Sequence, residues 1–225
     1  MASDENPLPR KLKPSQPRIE LWDGRELQFH RPHRDGHAPL DLRTLLPDLK
    51  GRPLEVEIGP GKGEFLARRA AAHPERFFVG IDRRADRVEL TERKLKRLGP
   101  DRGDNWIILR EDARSFLEAG LPSLALLHLY QPDPWPKARH HKHRFFRSPD
   151  ARAWADALLK GAEFRFSTDH RGYFEEMLDI VKSWGTLRLA YVWEKRWLSG
   201  PPMTHFEGIF LRRMEPVYKA VFVRI

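Results

Sequence analysis

From residue 51 onward, short apolar runs of strand length alternate with longer segments whose apolar residues recur every third or fourth position. Few arrangements bury both patterns at once, and this order favours a parallel sheet with helices packed on both faces. The strand-like runs are 54–58, 77–81, 106–109, 124–130, 164–167, 187–192 and 217–223. After the first, Phe65, Leu66 and Ala70 supply the inner face of a helix. After the second, Ala85, Val88, Thr91, Leu95 and Leu98 form one stripe, while Arg83, Arg84, Arg87, Arg93, Lys94, Lys96 and Arg97 crowd elsewhere. Gly99 and Pro100 stop that helix.

Residues 113–119 read as a short helix. Ser148 as N-cap, with Pro149 at the first helical position, opens another that carries Trp154, Leu158 and Leu159. Tyr173, Phe174, Met177, Leu178 and Val181 mark a further amphipathic helix, and the last two runs are suited to an antiparallel hairpin at a sheet edge. The expected fold is therefore α/β: a seven-stranded, mostly parallel sheet with helices on both faces and an antiparallel edge strand.

A chain of 225 residues is the length of one large domain. Residues 51–225 hold the alternating pattern and 19–50 form an N-terminal extension. Residues 1–18, with Pro7, Pro9, Pro14 and Pro17 among lysines and arginines, read as a flexible basic arm, neither secretory signal nor membrane anchor. No stretch nears the roughly 18 apolar residues of a membrane-spanning helix. Lys and Arg total 41 against 32 Asp and Glu, a formal charge of +9 that points to an anionic partner, most often nucleic acid. Cysteine is absent, which excludes disulfides, thiolate zinc sites and a cysteine nucleophile and fits a reducing compartment.

The sharpest local feature is V-E-I-G-P-G-K-G at 56–63, a strand that ends in glycines at alternate positions and opens a helix. Gly59, Gly61 and Gly63 let the backbone pass close beneath a ligand. Asp82 ends the next run nineteen residues after Gly63, near the spacing at which a carboxylate accepts hydrogen bonds from a ribose, and Asp112 follows the third run. Together they fit a nucleoside at the carboxyl edge of the sheet; the plainer reading is tight-turn glycines with solvated acids. A dinucleotide site spaces its glycines G-x-G-x-x-G, whereas here Gly63 falls one position early and Glu57 precedes the turn, an arrangement that resembles S-adenosylmethionine sites.

Q-P-D-P-W-P-K at 131–137 follows the fourth run. Its three prolines stiffen a loop that can hold Asp133 and Trp135 at a ligand crevice. In 137–147, Lys137, Arg139, Lys142, Arg144 and Arg147 join His140, His141 and His143 with no acid among them. Such a run is either a solvated face or, beside a crevice, a phosphate-binding surface. Fixed positive charge among the histidines disfavours a metal, and Phe145 and Phe146 read as core anchors.

Asp133 with Trp135, Lys137 and the basic run is the pattern by which the chain resembles the tRNA (guanine-N7-)-methyltransferase family. That family's segment is P-D-P-W-x-K-x-R-H-x-K-x-R, and Pro132, Asp133, Pro134, Trp135, Lys137, Arg139, His140, Lys142 and Arg144 match it. Thr168 and Asp169 look like its T-D step, and Thr204, His205, Phe206 and Glu207 like its T-x-[FY]-E box, so the resemblance covers roughly 50–225. It implies a Rossmann-like class I methyltransferase fold in a cytoplasmic enzyme. It further implies S-adenosyl-L-methionine as methyl donor, no metal, and transfer to N7 of a variable-loop guanine in tRNA. By the same resemblance Glu57, Asp82, Asp112 and Asp133 fall on donor positions beside Gly59, Gly61 and Gly63. Lys137, Asp169, Thr204, His205, Phe206 and Glu207 fall on substrate positions, and Asp133 on the catalytic one. Arg139, Lys142, Arg144 and Arg147 are the expected tRNA phosphate contacts.

Departures from the family pattern are Gln131, where an aromatic residue is commoner, Gly208 and Ile209, where arginines often follow the box, and Met214, where glycine is usual. The competing readings are a non-catalytic RNA-binding protein of the same fold and a small-molecule methyltransferase. Monomer and homodimer are equally compatible with the sequence.

Overall fold

The computed structural model describes residues 18–20, 26–28, 41–46, 48–98, 105–116, 121–148, 150–197 and 200–225. Residues 1–17 of the expected arm, the Gly99-Pro100 stop, the end of the expected 113–119 helix and Pro149 lie outside the described residues. Two short antiparallel strands, β1 (Arg18–Glu20) and β2 (Glu26–Gln28), precede a four-residue helix, α1 (Leu42–Leu45). Asp41 caps α1 by accepting a hydrogen bond from the Arg43 N–H at 2.9 Å. Leu42 and Leu45 enter the same core as the sheet, so that core reaches upstream of residue 51.

Strands and helices then alternate: β3 (Leu54–Ile58), α2 (Glu64–Ala72), β4 (Phe77–Asp82), α3 (Ala85–Lys96), β5 (Trp106–Arg110), β6 (Leu124–Tyr130), α4 (Asp150–Asp156), β7 (Leu158–Thr168), α5 (Arg171–Ser183), β8 (Leu187–Lys195), α6 (His205–Arg212) and β9 (Val217–Arg224). Seven strands form one sheet in the order β5-β4-β3-β6-β7-β9-β8. All pairings from β5 through β7 are parallel, and β9 is antiparallel to both neighbours.

The antiparallel strand therefore lies one place in from the edge, not at the edge itself. The crossover through α5 sets β8 down one strand beyond β7, and β9 returns through the gap between them. The chain between β8 and β9, read only as a motif, contains a helix, α6. Residues 113–116 form one 3-10 turn. Leu158 and Leu159 belong to β7 and not to the helix before it. The Leu124 N–H donates to the Ala157 carbonyl at 2.9 Å, and the two strands pair from Leu124 and Leu158 onward, so sheet pairing wins at the helix end.

Side-chain alternation assigns the two faces. Leu54, Val56, Ile58, Phe77, Val79 and Ile81 meet α1, α4 and α5 on one side. Phe78, Trp106 and Ile108 meet Leu66, Ala67 and Ala70 of α2 and Leu95 of α3 on the other. Phe146 is buried among Phe164, Phe166, Tyr173 and Trp184, with its ring centroid 5.1 Å from that of Phe166. This anchor fixes the basic segment just before it to the sheet.

Candidate active site

Where the strand order reverses, between β3 and β6, the connections leave the sheet in opposite directions and a crevice opens at the carboxyl ends. The turn after β3 forms its floor. The Gly59 N–H donates to the Ile81 carbonyl at 2.8 Å, and Gly59, Gly61 and Gly63 have φ of 70°, 59° and 70°. These glycines do different work. A Cβ on Gly59 would meet nothing within 4 Å and one on Gly61 only the Gly59 carbonyl at 4.0 Å, so both border open space on the ligand side. A Cβ on Gly63 would lie 2.7 Å from Thr91 of α3, so the third glycine serves helix packing.

Gly63→Ala therefore carries an overpacking cost of about 1–3 kcal/mol in addition to the left-handed penalty of about 1–2 kcal/mol. Gly61→Ala carries only the latter. Urea denaturation should show the larger loss at 63, and equal losses would refute the packing role.

Glu57 is 2% exposed, lines the crevice, and its Oε2 has no hydrogen-bond partner. Burial first, and the charge of Asp82 second, push its pKa up to about 8. Asp82 is itself raised by burial, against hydrogen bonds from the Arg84 and Gly61 N–H groups that favour its charged form. For Asp112, burial acts upward, but hydrogen bonds from Arg114 outweigh it and hold the carboxyl below its ordinary value. Two of the three acids expected at donor positions thus resist ionisation, while the third is already paired with its own arginine.

The loop after β6 is strained at two points. Gln131 and Trp135 have φ of 51° and 46°, left-handed values that cost non-glycine residues about 1–3 kcal/mol each. The Gln131 N–H donates to the Ser167 carbonyl at 2.8 Å, and the Trp135 ring packs on His143 with centroids 5.1 Å apart. Gln131 lines the crevice with a buried, unpartnered Oε1. Asp133 projects exposed from this loop. Its charge reaches Arg84, whose guanidinium is raised chiefly by its hydrogen bonds to Asp86 and also by Asp82 and Asp133.

Arg144 corrects the sequence reading. It is 3% exposed, its Nε donates to the Pro134 carbonyl at 2.8 Å, its guanidinium pairs with Glu176 and lies 4.9 Å from the Tyr173 ring centroid. A side chain so engaged is no surface phosphate contact; it ties the 131–137 loop to α5. Arg147 shares Glu176 from the exposed side. Lys137, at the cap of a 3-10 turn, and Arg139 and Lys142 within it are exposed and, among the described residues, form no ion pair.

Thr204 caps α6 by accepting from the Glu207 N–H at 3.1 Å. Glu207 is 1% exposed and turned inward, where it accepts from Lys219 at 2.8 Å, Lys195 at 3.3 Å and the Met203 N–H at 3.2 Å. Its carboxylate holds the box together and does not face a ligand, contrary to its expected place among substrate contacts. Thr204, His205 and Phe206 do line the crevice, with Glu57, Gly59 and Gly61. Asp82, Asp112, Asp133, Lys137 and Asp169 lie outside that lining; Asp169, half-buried after β7, is raised by burial.

Lys62, Phe65 and Tyr130 also line the wall; the sequence puts Phe65 on a helix's inner face and Tyr130 in a strand, and assigns none of the three to the site. Behind them the Tyr130 hydroxyl meets His128 Nδ1 at 2.9 Å, and His128 Nε2 meets Glu55 at 3.2 Å. Glu55 accepts from Arg69 and Arg76. Burial lowers the His128 pKa to about 4, so the ring is neutral at pH 7 and the tyrosine is fixed from behind. Among the described residues no group of three or more metal-ligating side chains is present, and no helix is long and apolar enough to cross a membrane.

The model of a family described as "Putative methyltransferase" matches residues 51–220. A tRNA (guanine-N(7)-)-methyltransferase of Thiobacillus denitrificans is 35% identical over 190 residues, 82% of this chain and 80% of that protein. Enzymes of the same name from Roseobacter denitrificans and Bacillus subtilis are 34% and 31% identical, covering 83% and 75% of this chain and 78% and 79% of theirs. Among solved structures, an antibiotic-related methyltransferase superposes with a TM-score of 0.60 at 18% identity, covering 84% of this chain and 96% of that one. A 16S rRNA (adenine(1408)-N(1))-methyltransferase from Catenulisporales acidiphilia, solved with cosubstrate SAM, gives 0.55 at 19%, covering 83% and 92%. These likenesses show the Rossmann-like class I methyltransferase fold.

Proposed function

The chain belongs to the tRNA (guanine-N(7)-)-methyltransferase family, and from that premise we propose that it methylates N7 of a variable-loop guanine in tRNA, using S-adenosyl-L-methionine and forming 7-methylguanosine. The observation that carries this reading is one crevice shared by the glycine turn, the orphaned Glu57 carboxyl and the 204–206 box. Glu57 Oε2 is an unused acceptor for a ribose hydroxyl, and the open space over Gly59 and Gly61 admits a ligand against the backbone, so these residues fit the donor. Bound there, S-adenosyl-L-methionine supplies an electrophilic methyl on a sulfonium.

Guanine N7 carries an in-plane lone pair and no proton, so the protein needs no general base. Its task is alignment, which in well-oriented reactions lowers a barrier by about 7–11 kcal/mol. Tyr130 and Phe65 give the crevice an apolar wall, and their rings meet edge-on with centroids 4.9 Å apart. Asp133 sits on a stiff loop at the rim, where a carboxylate stabilises the positive charge that guanine acquires. Lys137, Arg139 and Lys142, without ion pairs among the described residues, offer their cations to tRNA phosphates. A soluble enzyme of the cytoplasm, where tRNA is processed, fits this reading.

The test is to incubate the protein with unmodified tRNA transcripts and methyl-labelled donor, digest the RNA and identify the labelled nucleoside. Label in 7-methylguanosine, lost in Asp133→Ala, is the expected result. Absence of label despite binding of both ligands would leave a non-catalytic RNA-binding protein.

Glu57 adds a pH signature. With a pKa of about 8 it is largely protonated at pH 7, whereas ribose hydroxyls that donate to it favour the ionised form. Donor affinity should therefore rise with pH toward about 8 and level off above, with proton release on binding, and Glu57→Gln should flatten the profile. In the free protein the sign is opposite: a carboxyl raised on folding contributes stability that is lost as pH rises from the ordinary carboxylate range through about 8. Calorimetry in buffers of different ionisation enthalpy reads the proton; a pH-independent donor affinity would exclude Glu57 as the ribose acceptor.

A further inference from the structure

The crevice mouth holds more positive charge than the single carboxylate of the donor would engage. Lys62, from the glycine turn, places its Nζ 2.9 Å from His205 Nε2, from the start of α6, although the two lie 143 positions apart in the chain. Both residues line the crevice. Arg212 folds back along α6, and its Nη1 lies 3.4 Å from where a side chain at Gly208 would begin, beside Pro202, whose Cγ is 3.0 Å from the same point. The His205 pKa is lowered by burial first, then by Lys62, with smaller contributions from Lys94 and Arg212 against the opposing charge of Glu64. Lys62 and His205 thus meet at the crevice, with Lys94 and Arg212 close enough for their charges to act on the imidazole.

Their compensation is incomplete. Glu64 accepts from Lys94 at 3.1 Å and lies 3.7 Å from His205 Nδ1. Among the described residues no carboxylate pairs with Lys62 or Arg212, whereas neighbouring arginines are engaged: Arg68 donates to the Pro202 and Met203 carbonyls and Arg84 to Asp86. An ammonium with two spare hydrogens, an imidazole and a planar guanidinium fork match a tetrahedral oxyanion with several acceptor oxygens.

We propose that Lys62, His205 and Arg212 form a phosphate-binding subsite that holds the phosphate of the nucleotide being methylated. The inference rests on the tRNA-methylating function proposed above and adds how the target nucleotide is held. Because Lys62 follows the floor glycines and His205 follows Thr204, a phosphate held between them clamps the target against both walls. Arg212 supplies from one turn further along α6 the cation that Gly208 and Ile209 lack.

Lys62→Met and Arg212→Gln should each raise KM for tRNA about tenfold, the effect of losing one charged hydrogen bond. Each should also lower the salt dependence of log kcat/KM by about one contact, and Arg212→Gln, outside the crevice lining, should leave donor Kd in place. The second reading uses the unmodified protein: guanosine 5′-monophosphate should shift the His205 imidazole resonances in NMR, and guanosine should not. Reduced donor affinity with unchanged KM for tRNA would overturn the proposal and assign these cations to the donor's carboxylate. Identical responses to nucleotide and nucleoside would also overturn it. A protein that answers to the nucleotide yet forms no 7-methylguanosine would retain the subsite and refute the function, so the two failures are distinct.

Discussion

Asp133→Asn should lower kcat by about 10²- to 10³-fold while donor Kd changes little, the magnitude seen when one preorganised charge-stabilising group is removed from an active site. The substitution keeps the shape of the side chain and removes its charge. In the ground state guanine is neutral and gains little from a nearby carboxylate; as N7 takes the methyl the ring becomes cationic and the interaction grows. A group that acts mainly on that change appears in kcat. The loop is fixed by the Gln131 and Arg144 hydrogen bonds and by Phe146 packing, so the asparagine should occupy the place of the aspartate without collapse. Arg84 then loses one of the acids around it but keeps Asp86 at 2.8 Å. Stopped-flow donor binding beside single-turnover methylation separates the alternatives: equal losses in both would make Asp133 a donor ligand, and an unchanged rate would remove it from the chemistry.

How much of this was legible in the sequence varies by element. The strands β3, β4, β5 and β6 are buried on both faces, so their apolar runs are nearly continuous and readable without a partner. Leu158 and Leu159 sit at a junction where helical spacing and strand pairing fit the same residues, and only the register with β6 decides. The inner position of β9 is a property of strand order, which periodicity does not encode. The motif residues were recognisable one by one, but their directions were not. Arg139, Lys142 and Arg144 look alike in a basic run, yet the first two, on one 3-10 turn, are exposed and the third, extended between that turn and the next, is buried. Glu207 and Thr204 share a box, yet one is buried and one lines the crevice. Phe65 and Tyr130 read as core because a crevice wall and a core use the same aromatic residues. The meeting of Lys62 with His205 depends on the whole sheet between them.

Arg144→Leu should destabilise the protein by about 3–5 kcal/mol, because it leaves Glu176 partly buried beside an exposed Arg147 alone and frees the Pro134 carbonyl. For a chain of this length that is a fall in melting temperature of roughly 10 °C. Activity loss in this variant alone would not distinguish a positioning residue from a structural one. The double variant Arg144→Leu/Glu176→Leu does, since removing both partners of a buried pair often restores stability. Pro134 remains unheld in it, and the left-handed Trp135 next door can relax toward ordinary backbone, carrying Asp133 away from the rim. The double variant should therefore regain most of its melting temperature while kcat stays depressed and donor Kd stays normal. Arg144→Lys should behave similarly: a single ammonium keeps the charge beside Glu176 but lacks the planar fork that reaches Pro134 while lying over Tyr173. If kcat recovers in step with stability across these variants, Arg144 is merely a structural ion pair. If the two separate, the last arginine of the basic motif acts through the loop, and the strain at Trp135 is maintained by a side chain ten residues downstream of Pro134.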